Sequence, residues 1–322
     1  MAISRREFLR YFGGGAAGVI LSQTYLPWIV KTLEAAAKGE PPVIWLQGQG
    51  CSGCSVSLLN TVHPSIAEVL LKIISLAYHP TVMAGSGDSA ISAMEKIYTE
   101  ASGSYILIME GAIPTAEEGI YALMGEKEGK HVTILDWAKR LGEKAGAIVA
   151  VGSCASYGGI PAGEPNPTQA KGIGEVLGKT VLNIPGCPAH PDWIVGSLAH
   201  VLMWGLPKLD EYGRPTMFFG KNIHENCPNF YYYNADIFAD KLSDVGCLIQ
   251  LGCKGPLTNS DCPDRHWNNG VNWCIGAKAP CISCCQPGFP DEVSPMYGQI
   301  PDELKPKKVE LGKIEKPKGS VG

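Results

Sequence analysis

A rhythm of short apolar runs, three of them ending in cysteine-bearing loops, restricts this chain more than any other feature. The runs expected to form strands are residues 43–47, 105–109, 147–151 and 181–184, with a weaker fifth near 81–84. Between them the pattern predicts helices over 65–77, 88–100, 132–144 and 169–177. Apolar strands alternating with helices call for a mostly parallel sheet covered on both faces. The expected fold class is therefore α/β, a flavodoxin-like doubly wound parallel sheet.

The loops after these strands carry the chemistry. Gly48-Gln49-Gly50-Cys51-Ser52-Gly53-Cys54 follows the first, and Gly152-Ser153-Cys154-Ala155, closing on Gly158-Gly159, follows residues 147–151. Pro185-Gly186-Cys187-Pro188 follows residues 181–184. Ligands of open parallel sheets sit beyond the carboxyl ends of the strands, at a topological switch point. Cys51, Cys54, Cys154 and Cys187 thus converge where such a sheet binds something. Four thiolates at one place suit zinc or a [4Fe–4S] cluster. Structural zinc more often uses two compact knuckles, so ligands spread from 51 to 187 favour the cluster. The glycines would let backbone amides approach its sulfurs.

From about residue 207 the alternation stops. Proline, asparagine, tryptophan and tyrosine are frequent there, including Tyr231-Tyr232-Tyr233. Such a segment seldom builds a large core unaided, so bound groups are expected to supply part of its order. Its candidates are His224-Glu225-Asn226-Cys227, the pair Cys247 and Cys253 in "GCLIQLGCKGP", Cys262, and the C-x-x-C of Cys281 and Cys284. Cys274 stands seven residues before Cys281 with no neighbour at ligand spacing.

The length of 322 residues, 45% of them hydrophobic, suits about two domains. A net charge of −4 makes no electrostatic case for nucleic acid. The first 37 residues read as a targeting segment. Ser4-Arg5-Arg6-Glu7-Phe8-Leu9 is a twin-arginine signature, residues 11–30 are apolar and uncharged, and Ala35-Ala36-Ala37 fits a cleavage site. An uncleaved anchor is the alternative, but Gly13-Gly14-Gly15 and Pro27 make a poor spanning helix. Residues 38–206 would form the flavodoxin-like domain and 207–322 the irregular one. Export to an oxidising compartment keeps disulfides open as an alternative use of the twelve cysteines. The C-x-x-C spacings, and a route that carries prefolded proteins, speak against it.

Taken together, these motifs resemble the small, electron-transferring subunit of the nickel–iron hydrogenases. The matching residues are Cys51-Ser52-Gly53-Cys54-Ser55, Glu110-Gly111-Ala112-Ile113-Pro114, Gly152-Ser153-Cys154-Ala155 and Pro185-Gly186-Cys187-Pro188. His224-x-x-Cys227, Gly252-Cys253-Lys254-Gly255-Pro256, Pro280-Cys281-Ile282-x-Cys284 and Phe289-Pro290-Asp291 continue the match. The resemblance implies three iron–sulfur clusters in a row. Cys51, Cys54, Cys154 and Cys187 match the ligands of a proximal [4Fe–4S] cluster. His224, Cys227, Cys247 and Cys253 match a distal [4Fe–4S] cluster, and Cys262, Cys281 and Cys284 a medial one. Many members have proline where this chain has Cys274 and hold a medial [3Fe–4S] cluster. Here Cys274 would be the fourth ligand of a medial [4Fe–4S] cluster, with a lower potential, as in the nickel–iron–selenium branch. Were Cys274 not a ligand, the medial cluster would be [3Fe–4S].

The same resemblance implies a heterodimeric hydrogenase in the periplasm, in which this chain has no hydrogen-activating site. Its partner would be the large subunit with the nickel–iron or nickel–iron–selenium centre, and its electron acceptor a multihaem cytochrome c. Oxygen-tolerant members carry extra cysteines near the proximal cluster, where this chain has Gly53 and Gly159. The C-terminal transmembrane helix of membrane-bound members is not expected. An iron–sulfur subunit of another respiratory oxidoreductase is the alternative, because the first half also resembles one found in NADH dehydrogenases.

The remaining candidates carry less. His63, His79, His131, His190, His200 and His266 have no ligand context. Glu110 ends a strand at the cluster face, as a proton relay, a partner contact or a satisfied buried carboxylate. The tyrosine triplet, Trp267 and Trp273 read as packing, and Cys285 as a buried free thiol.

Overall fold

The computed structural model describes residues 41–127 and 130–308. The expected signal segment, residues 1–37, lies outside the described residues. A five-stranded parallel sheet forms the first half: β1 (Pro42–Gln47), β2 (Ser75–Tyr78), β3 (Ile106–Glu110), β4 (Ala147–Val151) and β5 (Leu182–Ile184). Their order is β2-β1-β3-β4-β5. This is the flavodoxin-like arrangement, with its switch point between β1 and β3.

Both faces of the sheet are buried, which is why its strands are apolar at most positions. Val43, Trp45, Ile106, Ile108, Val149 and Ile184 pack on one face against Trp193, Ile194 and Leu198 of the helix Pro191–Trp204. Ile44, Leu46, Leu107 and Met109 pack on the other, against Met94 of the helix Asp88–Glu100 and Ile134, Trp137 and Leu141 of the helix Ile134–Lys144. Each such side chain stabilises the fold by roughly 1.5–3 kcal/mol. Thr133 caps the last of these helices through a capping box with Asp136.

Register decides where the loops emerge. Gln47 lies opposite Glu110, Glu110 opposite Val151, and Val151 opposite Ile184. Four strands therefore end level, and their outgoing loops leave from one edge.

The expected strand at 81–84 is not there; β2 runs over Ser75–Tyr78 instead. The helix expected over 65–77 stops early to make room for it. Ile66–Glu68 is one helical turn, Val69–Ile73 widens into a π-turn, and Ile74 is already extended (φ −127°, ψ 139°). Pairing of Ser75 and Leu76 with β1 outweighs the helical propensity of that stretch. The helix expected from 132 begins at Ile134, because Lys130–Thr133 pairs with Leu123–Lys127 in a hairpin. In the same way Ala170–Lys171 pairs with Ile113–Pro114, leaving only Ile173–Leu177 helical.

The second half is built from turns, short 3-10 segments and helices of four or five residues, such as Thr216–Phe219, Phe230–Asn234 and Cys262–Arg265. Among the described residues no helix is long and apolar enough to cross a membrane.

Candidate functional site

At the level edge of the sheet the structure brings together Cys51, Cys54, Cys154 and Cys187. Burial raises the pKa of Cys154 to about 11, with further increments from the charges of Cys187 and Cys51. Burial likewise pushes up Cys54 and Cys187, the first also feeling Glu110, Cys154 and Cys187, the second Cys51. Each thiol is thus within electrostatic reach of others in the group. Cys51 and Cys187 are exposed and Cys54 is buried, so one side of the group opens outward. A pocket of about 270 Å³ beside it is lined by Gln47, Gly48, Gly50, Cys51, Ser52, Glu110 and Gly111.

The loops are shaped around sulfur. A Cβ on Gly152, whose φ is +88°, would lie 2.5 Å from Cys54 Sγ. Gly159 (φ +51°) is as restricted, since a Cβ there would come within 2.8 Å of the Cys154 nitrogen. A cysteine at 159 would be strained in this backbone. The Ala189 amide points at Cys54 Sγ from 3.5 Å.

Glu110 holds the first loop in place. Its carboxylate accepts from Trp45 Nε1 (2.9 Å), Gln47 Nε2 (3.0 Å), the amides of Cys54 and Ser55 (3.0 Å each) and Ser55 Oγ. Ser55 Oγ also meets His79 Nε2 at 3.1 Å. Of the roles open to Glu110 in the sequence, the satisfied buried carboxylate is the one seen: it clamps the loop that carries Cys51 and Cys54.

The second half brings together two further groups. Burial pushes the pKa of Cys227 up to about 12, and Cys253 and Cys247 add to it. Cys247 is raised to about 11 by burial and then by Cys253. His224 stands in the H-x-x-C turn with Cys227, its ring edge-on to Tyr233 (4.7 Å) and Phe230 (5.1 Å). Its Nε2 is buried without a hydrogen-bond partner. Burial lowers its pKa to about 4, so the imidazole is neutral at physiological pH. A buried neutral nitrogen with a free lone pair is costly to leave alone and suited to a metal.

Cys262, Cys281, Cys284 and Cys274 form the last group. Burial raises Cys284 to about 12, with Cys274 and Cys187 adding to it. Cys262 is raised by burial and then by Cys284, Asp261 and Cys274, and Cys281 by burial and then by Cys253 and Cys284. Cys274, isolated in the sequence, is thus a neighbour of Cys262 and Cys284. Both C-x-x-C loops turn through a left-handed serine, Ser52 (φ 57°) and Ser283 (φ 62°). That backbone is uncommon outside glycine and brings the flanking thiols to one side.

All twelve cysteines are free thiols. Among the described residues no three His, Cys, Asp or Glu side chains converge closely enough to hold one bare ion. Thiols spaced around a cubane bind separate irons and need no such convergence. Raised thiol pKa values mean that each would release a proton on binding iron.

The groups touch in sequence. Cys284 feels Cys187 of the first group, and Cys253 feels Cys274 and lies beside Cys281 of the last. Lys254, next to Cys253, donates its amide to the Cys281 carbonyl at 2.7 Å. The group of Cys262, Cys274, Cys281 and Cys284 is therefore the middle of three.

Several contributors had no local signal. Arg214 is 1% exposed and ties Asp210 (2.7 Å) to the Cys285 carbonyl (3.0 Å) and Gln286 (3.1 Å). Arg265 joins Asp192 of the first half to Asp261 of the second. Cys285 is a buried thiol directed at the Asn259 carbonyl (3.7 Å). Trp267 packs on His190 and Trp193, and Trp273 lies in the apolar cluster around Cys227 and Cys281.

Comparison with known proteins finds two family models that match the chain. Residues 51–201 match the family model of the NADH ubiquinone oxidoreductase 20 Kd subunit. Residues 219–297 match that of the C-terminal region of the NiFe/NiFeSe hydrogenase small subunit. The chain is 50% identical to the periplasmic [NiFeSe] hydrogenase small subunit of Desulfomicrobium baculatum, over 92% of this chain and 99% of that one. It is 39% identical to the periplasmic [NiFe] hydrogenase small subunit 1 of Nitratidesulfovibrio vulgaris, over 92% and 93%. The crystal structure of a reduced, active form of the D. baculatum Ni-Fe-Se hydrogenase superimposes with a TM-score of 0.78, covering 81% of this chain and all of that one.

Proposed function

The chain belongs to the small-subunit family of the nickel–iron and nickel–iron–selenium hydrogenases, and on that premise we propose which residues hold its clusters and where its electrons go. It is the electron-transfer subunit of a heterodimeric hydrogenase, it pairs with the large nickel–iron(–selenium) subunit, and its family carries iron–sulfur clusters.

The proposed proximal set is Cys51, Cys54, Cys154 and Cys187, the medial set Cys262, Cys274, Cys281 and Cys284, and the distal set His224, Cys227, Cys247 and Cys253. All three clusters would be [4Fe–4S]. The observation that carries this reading is the grouping itself, together with the unpartnered Nε2 of His224. Bound clusters would supply one-electron storage at three points in line. The protein's own part is to orient thiols, exclude water and aim amides at sulfur. Asn229 N lies 3.3 Å from Cys227 Sγ, Ser283 N 3.4 Å from Cys281 Sγ, and Ser260 Oγ 3.1 Å from Cys262 Sγ.

The exposed thiols of Cys51 and Cys187 would face the large subunit. At the other end Glu225 and Asp240 are exposed, Asp236 is paired with Lys308, and Leu242 and Val245 are exposed in the same stretch. The chain pairing there brings Ala239 N to the Cys247 carbonyl (3.1 Å). A multihaem cytochrome c is proposed as the electron acceptor, as the family resemblance implies. Residues 1–37 are proposed as a twin-arginine signal for the periplasm, and residues 38–206 and 207–322 as the two domains.

Iron and sulfide analysis of the purified heterodimer, with EPR of the oxidised protein, tests the assignment. Three cubanes without an oxidised [3Fe–4S] signal are expected. Cys274→Pro should remove one iron per chain and bring that signal out. Such a signal in the unaltered protein would exclude Cys274, and a protein without iron would end the whole reading.

A further inference from the structure

One hydroxyl joins loops that the proposed clusters keep apart. Ser153 is 2% exposed and precedes Cys154. Its Oγ accepts the Gly186 amide at 2.9 Å, while its own amide donates to the Gly186 carbonyl at 3.0 Å. This reciprocal pair locks the Cys154 loop to the loop carrying Cys187. The hydroxyl proton is then free for a third partner, the carbonyl of Cys284, 131 residues away. The next carbonyl, that of Cys285, is held by Arg214 Nη1 at 3.0 Å. The segment bearing Cys284 is thus gripped from the first half by Ser153 and from the second by Arg214.

We propose that Ser153 is a positioning residue, whose hydroxyl sets the separation between the proximal and medial sites by docking the Cys284 loop onto the loops of Cys154 and Cys187. The inference rests on those cysteines being cluster ligands. Ser153 touches no cluster in this role. It acts through the carbonyl of one ligand and the chain beside two others. Electron tunnelling falls steeply with distance, so a loop that drifts outward weakens the link even when every thiolate stays bound. At the medial–distal junction the backbone amide of Lys254 bonds the Cys281 carbonyl, and the Thr258 hydroxyl lies between the Lys254 carbonyl (2.7 Å) and Ser283 Oγ (2.8 Å).

The test uses the complete heterodimer with Ser153→Ala and Ser153→Thr. Iron content is measured first. The magnetic interaction between the reduced proximal and medial clusters is then read by EPR, a distance-dependent quantity separate from turnover. The Ala variant should keep its iron, while the ratio of interacting to non-interacting cluster pairs falls about fivefold, the bias that one neutral hydrogen bond gives. The Thr variant, which keeps the hydroxyl, should restore the interaction. An Ala variant that is short of iron beside a fully loaded Thr variant would also support the hydroxyl's role. Unchanged coupling in Ser153→Ala overturns the proposal, as does a Thr variant as impaired as Ala or as poor in iron. Absence of iron from the unaltered heterodimer would instead defeat the cluster assignment, before Ser153 comes into question.

Discussion

Cys51, Cys54, Cys154 and Cys187 hang from the level ends of a sheet filled on both faces by aliphatic and aromatic side chains. In the second half four of the thiols belong to the filling. Cys227, Cys253 and Cys281 sit in one small buried cluster with Ile223, Leu248 and Trp273, and Cys247 in another with Tyr233 and Ile249. The first arrangement is a scaffold that presents ligands. The second is a segment whose core is partly made of ligands, so removing the bound groups would leave it with buried thiols and few apolar contacts. Order in one half comes from hydrophobic burial, and in the other from metal coordination coupled to folding.

Removing the clusters should expose that difference most strongly. After anaerobic chelation of the heterodimer, hydrogen exchange should rise across residues 219–297 while β1, β3 and β4 stay protected. Equal loss of protection in both halves would break the comparison. Next in size is Arg214→Met, which breaks a buried ion pair and frees the carbonyl of Cys285. It should cost about 3–5 kcal/mol in chemical denaturation, with visible cluster absorbance bleaching before far-UV ellipticity is lost. A comparable loss, about 2–5 kcal/mol, is expected for Ile108→Ala in the fully buried central strand. In that variant absorbance and ellipticity should vanish together, because the sheet carries the proximal ligands with it. The smallest effect is Thr133→Ala, which removes the capping-box hydroxyl and should cost about 1 kcal/mol. Iron content should not change, since the cap's partner is Asp136 of its own helix.

The alternation of apolar runs and helices was readable because a doubly covered parallel sheet imposes it residue by residue. The errors fell where local preference and tertiary pairing compete. Residues 65–77 read as one helix, yet Ser75 and Leu76 are drawn to the open edge of β1. Residues 169–171 read as helix, yet Ala170 pairs with Pro114. A sequence window sees the propensity of a segment but not the vacant strand edge waiting for it.

The sequence by itself determined which side chains are ligand candidates, because C-x-x-C and H-x-x-C are short-range patterns set by the reach of the chain. It also determined that the four cysteines of the first half lie at strand ends. What only the tertiary structure decided is how the three groups are joined and supported. Glu110 clamps the first loop, Arg214 holds Cys285, and Ser153 meets Cys284. These contacts link residues far apart along the chain, and each depends on a register or a crossing that exists only once the sheet and the second half are docked. A hydroxyl or a carboxylate has no spacing signature of its own, so its partner appears only when folding brings the two together.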